Sequence, residues 1–563
     1  EVDPELQRRY DLIRSVGEEC QTDAELMRLI DKKPDFVLYD GFEPSGRMHI
    51  AQGIYKTINV NKCTQAGGTF IFWVADWFAL MNDKMGGDLD KIKTVGQYLI
   101  EVWKASGMDM SRVKFLWSSE EISARAEDYW GQALDVAAKS TLARVKKCCQ
   151  IMGRGEDSLT CAQILYPIMQ CTDIFFLKAD VCQLGVDQRK VNMLARDYCD
   201  ASGRKLKPVI LSHHMLYGLK KGQVKMSKSD PDSAIFMEDE AEDVTRKLEN
   251  AYCPTQPEGA GGGEEAEGMR LVEDDLMNPC LDYAQYVLFS RPGYEFSTGG
   301  VTYSTFEDLR DAFLAGKVSE AELKERLIEE VNVLLEPVRQ HFASDERAKG
   351  LLAKVKEWRR ETLTPASSLT RLELEFAGDA AAPVFAAFAP QPSEYVRLSD
   401  VCGVLRRLRG APEGSRIVLW LEDWSARALS SAGGSKECVK AWYELLLAGL
   451  RSLAPELMER VQVQWQGEAI LKGPSDYWTS AINAGRRWPV EAVRETLPAG
   501  EDLTQAGQVV ASLMHLADVL ALCSGDAPVT ISCEPEQEGL HRLAVKHLEA
   551  CGLQVPTGAA EAE

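Results

Sequence analysis

The sequence predicts an α/β protein: a doubly wound, Rossmann-like domain, a small α-helical domain, and a degenerate second copy of the first. Three observations carry this. Strand-like and helix-like segments alternate over residues 35–235. Residues 276–360 are charged and amphipathic with helical periodicity. A set of residues also recurs in order at a nearly constant offset: Phe72 to Trp77 (FWVADW) returns as Leu419 to Trp424 (LWLEDW), Gly86-Gly87 as Gly433-Gly434, and Asp128-Tyr129-Trp130 as Asp476-Tyr477-Trp478. Leu159-Thr160 matches Leu503-Thr504, and Asp173 falls on Asp518. Ordered matches of this kind mean a duplicated domain.

The elements follow in chain order. Residues 1–34 read as polar and helical. Residues 35–41 form a strand that ends in a Gly-rich turn, and 52–65 a helix. Residues 69–75 are continuously apolar, as in a parallel strand buried on both faces. Helices around 88–106 and 127–151 flank a short strand at 113–117, and an apolar helix covers 164–176. Residues 256–275 are rich in Gly and Glu and read as a mobile loop. The resulting domains are 1–34, 35–235, the helical domain 236–360, a linker at 361–380, and the second copy at 381–563.

Composition narrows the function classes. No apolar run approaches the roughly 18 residues of a membrane span, so no membrane partner is expected. The net charge of −22 argues against a diffuse basic surface for nucleic acid. Its distribution is uneven, however. Residues 202–229 carry Arg204, Lys205, Lys207, Lys220, Lys221, Lys225 and Lys228 and no acid. Arg144, Lys146 and Lys147 form a second basic cluster, and Arg189-Lys190 a third, suited to phosphates of a nucleotide and an RNA. The 15 cysteines show no zinc spacing, which predicts a reduced, cytoplasmic protein without a structural metal.

Two segments carry candidate phosphate chemistry. His49 lies between a strand and a helix N-terminus, flanked by Gly46 and Gly53, where free N–H groups favour an anion. Lys225-Met226-Ser227-Lys228-Ser229 places two lysines on a small polar loop, able to follow phosphate charge into a transition state. Separately, Tyr166, Gln170 and Asp173 share one face of an otherwise apolar helix. An acid on the inner side of such a helix points to a polar pocket.

In this order, His49-Ile50-Ala51-Gln52 and Lys225–Ser229 resemble the HIGH and KMSKS motifs of class I aminoacyl-tRNA synthetases. The second is matched letter for letter; the first has Ala and Gln in its last two places. Tyr39-Asp-Gly41-Phe-Glu-Pro-Ser-Gly46, and Tyr166-Pro-Ile-Met-Gln170-Cys-Thr-Asp173 followed by Val186-Asp-Gln188-Arg-Lys190, resemble the tyrosyl-tRNA synthetases of the archaeal and eukaryotic type. The resemblance implies a tyrosine–tRNA ligase that uses ATP as substrate, with Mg²⁺ on the phosphates, and charges tRNA(Tyr). Tyr39 and Asp173 would hold the tyrosine phenol, beside Gly41. Tyr166, Gln170 and Gln188 would hold its amino group. Gly46, His49, Gly53, Met226, Ser227 and Ser229 would bind ATP, with His49, Lys225 and Lys228 catalytic. Arg144, Lys146, Lys147 and Arg189 would meet the tRNA acceptor end. A tryptophanyl enzyme shares the fold, but Tyr39 with Asp173 argues against it.

The second copy lacks the set: Tyr166 becomes Ala511 and Gln170 becomes His515, and no KMSKS-like segment follows. The chain thus resembles the tandem-duplicated, double-length members with one working site, an intramolecular pseudo-dimer in a monomeric chain. The helical domain resembles an anticodon-binding domain but has Ser319-Glu320 and Val287 where family members carry His-Pro and an aromatic. The sequence ends at Glu563 before a second helical domain, which implies a truncated chain or poor aminoacylation. The competing class is a non-catalytic RNA-binding or signalling protein built on a retired synthetase.

Overall fold

The computed structural model describes residues 3–149, 159–226, 230–256, 276–358, 372–429, 434–498, 500–553 and 555–558. The Gly/Glu-rich stretch from 257 to 275 and the linker up to 371 lie outside the described residues. The first copy is built on strands β1 (Glu19–Gln21), β2 (Val37–Phe42), β3 (Thr69–Val74), β4 (Val113–Trp117), β5 (Val181–Cys182) and β6 (Val209–Ser212), in the order β1-β6-β5-β2-β3-β4. All neighbours are parallel except β1, which runs antiparallel to β6. The apolar run in β3 is buried throughout, as a central parallel strand requires. Residues 1–34 are therefore not simply helical. Two helices, Pro4–Arg14 and Asp23–Lys32, flank the strand that closes the sheet edge.

Strand order reverses at β2: the chain leaves it toward β3 and β4, and returns on its other side with β5 and β6. The crevice at the carboxyl ends of β2 and β5 is thus the topological switch point, where α/β sheets bind ligands. Helix Cys161–Phe176 runs beneath it. A Thr160/Gln163 capping box starts this helix, and nearly all of its residues are buried. The sequence reads 127–151 as one helix, but it breaks at Ser140-Thr141 into Ala126–Lys139 and Leu142–Cys149.

Next in the chain comes a helical layer that packs on the first copy and is dominated by the 25-residue helix Glu320–Ser344. Ser319 is its N-cap and Glu322 completes a capping box. A hairpin, β7 (Phe296–Thr298) and β8 (Val301–Tyr303), is unanticipated by the sequence reading. Its turn is Gly299-Gly300, both at positive φ, the conformation a tight two-residue hairpin demands. Val287 is fully buried in this layer's core.

The second copy repeats the sheet with β9 (Val384–Phe388), β10 (Arg416–Leu421), β11 (Val461–Trp465), β12 (Val529–Ser532) and β13 (Thr557–Gly558), all parallel, in the order β11-β10-β9-β12-β13. The sequence sets Tyr39-Asp-Gly-Phe42 against Phe385-Ala-Ala-Phe388, and strand pairing corrects this by one residue. Ala386 faces Val418 as Tyr39 faces Ile71, so Tyr39 corresponds to Ala386 and Gly41 to Phe388.

The copies meet about a pseudo-two-fold axis. Trp130 and its equivalent Trp478 stack face to face, with centroids 3.4 Å apart and planes 10° apart. Backbone bonds come in mirrored pairs: Leu142 N–H to Thr504 O (2.8 Å) with Val490 N–H to Leu159 O (2.9 Å), and Cys161 N–H to Trp488 O (3.0 Å) with Ala506 N–H to Ser140 O (3.0 Å). Leu159 thus corresponds to Thr504, not Leu503.

His214, just after β6, ties three regions together. Its Nε2 lies 2.8 Å from Asp282 of the helical layer and its Nδ1 3.1 Å from Glu18. Burial alone would lower its pKa, but the bonds and charges of Asp282 and Glu18 outweigh that and raise it from 6.5 to about 9. A raised histidine stabilises the fold fully below its unfolded pKa and loses that contribution as pH rises through its folded value. Thermal stability should therefore decline between pH 6.5 and 9, by about 3 kcal/mol at most. Asp282→Asn should flatten that slope in a pH series of melting curves; an unchanged slope would contradict the assignment.

Candidate active site

The switch-point crevice opens into a cleft of about 320 Å³. Its walls bring together Tyr39, Gly41, His49, Tyr166, Gln170, Asp173, Gln188, Lys225 and Met226. Ser227, Lys228 and Ser229 lie outside the described residues. Gly46 and Gly53 do not line the cleft, contrary to the expectation that both let backbone approach a ligand. Gly46 has φ +118°, which makes the turn possible. A Cβ on Gly53 would sit 2.1 Å from Met237 Sδ, so this glycine serves close packing.

That packing joins the two motifs. Ile50 N–H donates to Ile235 O (2.8 Å) and Met237 N–H to Met48 O (2.9 Å), a short bridge between the His49 segment and the chain just beyond the Lys225 loop. Arg47, ion-paired with Glu238 and Asp239, seals the bridge from outside. The helix after His49 begins as a wide π turn, Ala51–Tyr55. Gln52 Oε1 is buried there with no hydrogen-bond partner among the described residues, so an acceptor waits at the cleft wall.

At the cleft's inner end, Tyr39 is fully buried and its hydroxyl has no hydrogen-bond partner among the described residues. Asp173, equally buried, accepts from Tyr129 Oη at 2.7 Å. Burial drives the Asp173 carboxyl well above the usual range, and the Tyr129 bond opposes it. Tyr166 Oη donates to Glu43 Oε1 (2.5 Å), which Asn82 Nδ2 also reaches (2.9 Å). Gln170 Nε2 donates to Gln188 Oε1 (3.2 Å). Two polar groupings thus face the cleft, Tyr39 with Asp173 and Gln170 with Gln188.

Two features escape the sequence reading. Tyr129 is one; its signal was the Asp-Tyr-Trp repeat, read there only as a mark of duplication. The other is a buried chain beneath the cleft. Lys56 Nζ contacts Asp40 (2.5 Å) and Gln183 Oε1 (2.5 Å), and Gln183 Nε2 reaches His213 Nδ1 (2.9 Å). Burial raises the Asp40 carboxyl and Lys56 opposes it; burial, then Lys56, holds His213 well below 6.5 and neutral. Asp187, raised by burial and drawn down by Lys225, joins Asp40, Glu43 and Asp173 on the cleft wall.

The basic segment divides. Arg204, Lys205 and Lys207 precede β6, at the sheet end away from the cleft, whereas Lys220 to Lys225 follow it. Arg144 sits on the short helix after the break, bonded to Asp197 (2.8 Å) and Lys190 O (3.3 Å). Arg189 pairs with Glu19 (2.5 Å). Arg144 is therefore held against the helix that Arg189 begins, directly after Gln188 of the cleft wall, with Lys147 exposed and Lys146 half-buried.

A family model described as "tRNA synthetases class I (W and Y)" matches residues 31–336. Tyrosine–tRNA ligase 1, cytoplasmic, of Arabidopsis thaliana is 52% identical over 366 residues, 64% of this chain and 91% of that protein. The chain belongs to the class I tyrosyl-tRNA synthetases. Its activity is tyrosine–tRNA ligation, with ATP, tyrosine and tRNA as substrates. Tyrosine–tRNA ligase 2, cytoplasmic, of the same plant is 38% identical and matches 93% of this synthetase and 74% of itself, so the similarity extends through the second copy. The Leishmania major tyrosyl-tRNA synthetase solved with tyrosinol superposes with a TM-score of 0.87 at 49% identity, covering 98% of this chain and 92% of that one. The Pyrococcus horikoshii enzyme solved with L-tyrosine covers 63% of this chain at 31% identity, with a TM-score of 0.55.

Lys56 neutralises a buried carboxylate, so its removal leaves Asp40 uncompensated. Lys56→Met should cost about 3–5 kcal/mol, while the double variant with Asp40→Leu should recover most of it. Equal losses in urea unfolding of the single and double variants would refute the pairing.

Proposed function

We propose that the first-copy cleft is the synthetase's single active site, with the second copy catalytically silent. Tyr39 and Asp173 read the substrate phenol. Tyr166, Gln170 and Gln188 hold the amino group, and Gly41 leaves room for the ring. The substrate carboxylate attacks the α-phosphate of ATP, displacing pyrophosphate, so no side chain need act as nucleophile. His49, Lys225 and Lys228 stabilise charge on the transferring phosphate. Met226, Ser227 and Ser229 embrace ATP, and Gly46 shapes the preceding turn. Mg²⁺ enters with the nucleotide as counter-ion of its phosphates. The tyrosyl group then passes to the 3′ ribose of tRNA(Tyr), whose acceptor end is received by Arg144, Lys146, Lys147 and Arg189. The chain works as a monomer in the cytoplasm, the compartment in the names of its Arabidopsis relatives.

The observation that carries this is the contrast between equivalent positions. Where the first copy has Ala75, Gln170 and Gly41, the second has Glu422, His515 and Phe388. Glu422 bonds His515 (3.1 Å), Gln391 (2.7 Å) and Gln537 (2.6 Å), and Phe388 packs on the His515 ring at 4.9 Å. Gln537 ends a short turn before a helix as Gln188 does. Asp518 accepts from Tyr477, Trp420 and Gln466. Side chains occupy the space and bonds that a substrate would take.

Tyrosine-dependent ATP–pyrophosphate exchange tests the assignment. Lys225→Ala should lower kcat on the order of 10²-fold, and Asp173→Ala should raise KM for tyrosine. Asp518→Ala should leave both constants unchanged in the fraction that folds. Equilibrium dialysis should find one tyrosine per chain; two would sink the silent-copy reading.

A further inference from the structure

The repeated pair Gly86-Gly87 has no place in the cleft chemistry, and its surroundings point across to the second copy. After helix Asp76–Met81 the chain turns through Asp83 (φ +54°), Met85 (φ +51°), Gly86 (φ +69°) and Gly87 (φ +73°). Two non-glycine residues in the left-handed region are strained unless their surroundings hold them. This turn bears directly on the cleft. Lys84 and Phe78 line it. Asn82, next to Asp83, donates to the Glu43 oxygen that receives Tyr166 Oη.

What holds the turn comes from the other copy. Arg486, in helix Pro474–Arg487, donates to Asp83 Oδ1 from Nε (2.8 Å) and from its terminal nitrogen (2.5 Å). Asn483 fixes the same guanidinium from behind (2.8 Å). A Cβ on Gly87 would lie 1.9 Å from that guanidinium, so Gly87 is the space in which Arg486 sits. The contact is one-sided: by the register that pairs Tyr129 with Tyr477, the position equivalent to Arg486 is Ala138, which cannot make it.

We propose that Arg486 is a positioning residue for the first-copy active site: through Asp83 it holds the 82–87 turn, and with it the Asn82–Glu43–Tyr166 bonds and Lys84, in register with the cleft. The second copy then has a task in catalysis although its own site is filled. The proposal rests on the first-copy cleft being the active site.

Pyrophosphate exchange on the full chain tests it. Arg486→Ala should raise KM for tyrosine roughly threefold to fivefold, the range of a partly exposed charge pair, with the melting temperature held. Arg486→Lys should recover most of the loss. Asp83→Asn, which keeps the turn-forming tendency but removes the charge, should give the same KM change. Combined with Arg486→Ala it should add nothing further. Wild-type KM in both Arg486→Ala and Asp83→Asn overturns the clamp, as does additivity of the two. An Arg486→Ala chain that fails to fold leaves the decision to Asp83→Asn, whose side chain is half-exposed. Wild-type protein without tyrosine-dependent exchange would instead refute the site assignment itself.

Discussion

The structure depends on the stack of Trp130 on Trp478. Both indoles are fully buried and lie on the axis that exchanges the copies. Their neighbours Tyr129 and Tyr477 each donate to a buried aspartate, Asp173 and Asp518. One aromatic contact therefore fixes the helices that carry both phenolic donors, and the mirrored backbone bonds on either side fix their register. Aromatic stacking between two fully buried rings is rigid because any slip opens a void against close-packed neighbours. The cleft of the first copy is thus built against the second copy, not merely beside it.

That dependence explains why a copy can lose its chemistry and keep its fold. In the second copy, His515, Gln391 and Gln537 converge on the Glu422 carboxylate in the equivalent crevice. A buried carboxylate is tolerated there because both of its oxygens have hydrogen-bond partners, His515 on Oε1 and Gln391 and Gln537 on Oε2. Trp478 stacks on Trp130 across the interface, and Tyr477 beside it donates to Asp518 as Tyr129 does to Asp173. Ala511 and His515 stand where the first copy has Tyr166 and Gln170, which face the cleft.

Much of this was legible in the sequence, and the limits have physical causes. The repeat was visible because interface tryptophans and the apolar β3 and β10 runs cannot vary freely. The cleft residues were visible because polar side chains on an apolar helix need a reason to be there. One-residue slips at Phe385 and Leu503 arose because apolar matches look alike until strand pairing decides which face each residue takes. The antiparallel edge strand Glu19–Gln21 is too short to show a period, and helix signals surround it. Lys56 was hidden because its partners, Asp40 and Gln183, are far apart in the chain and meet only when β2 and β5 pair. Gly53 was misread because a glycine beside a motif suggests a ligand, while only the fold reveals Met237 pressed against it.

Fusion of the two copies removes a constraint that a two-fold dimer imposes. In a homodimer every substitution occurs twice, so a residue that improves the interface toward one site must also be tolerated in the other. Here the backbone bonds between the copies are mirrored, but among the described residues the cross-copy polar contacts of side chains run one way. Arg427 donates to Gly131 O, Lys436 pairs with Glu127, and Arg486 pairs with Asp83, each cation on the second copy and each acceptor on the first. Such polarity cannot arise across a strict two-fold axis, where each contact has its mirror image. A partner whose own crevice is filled by side chains is free to present cations to individual carboxylates and carbonyls of the first copy, such as Asp83, Glu127 and Gly131 O.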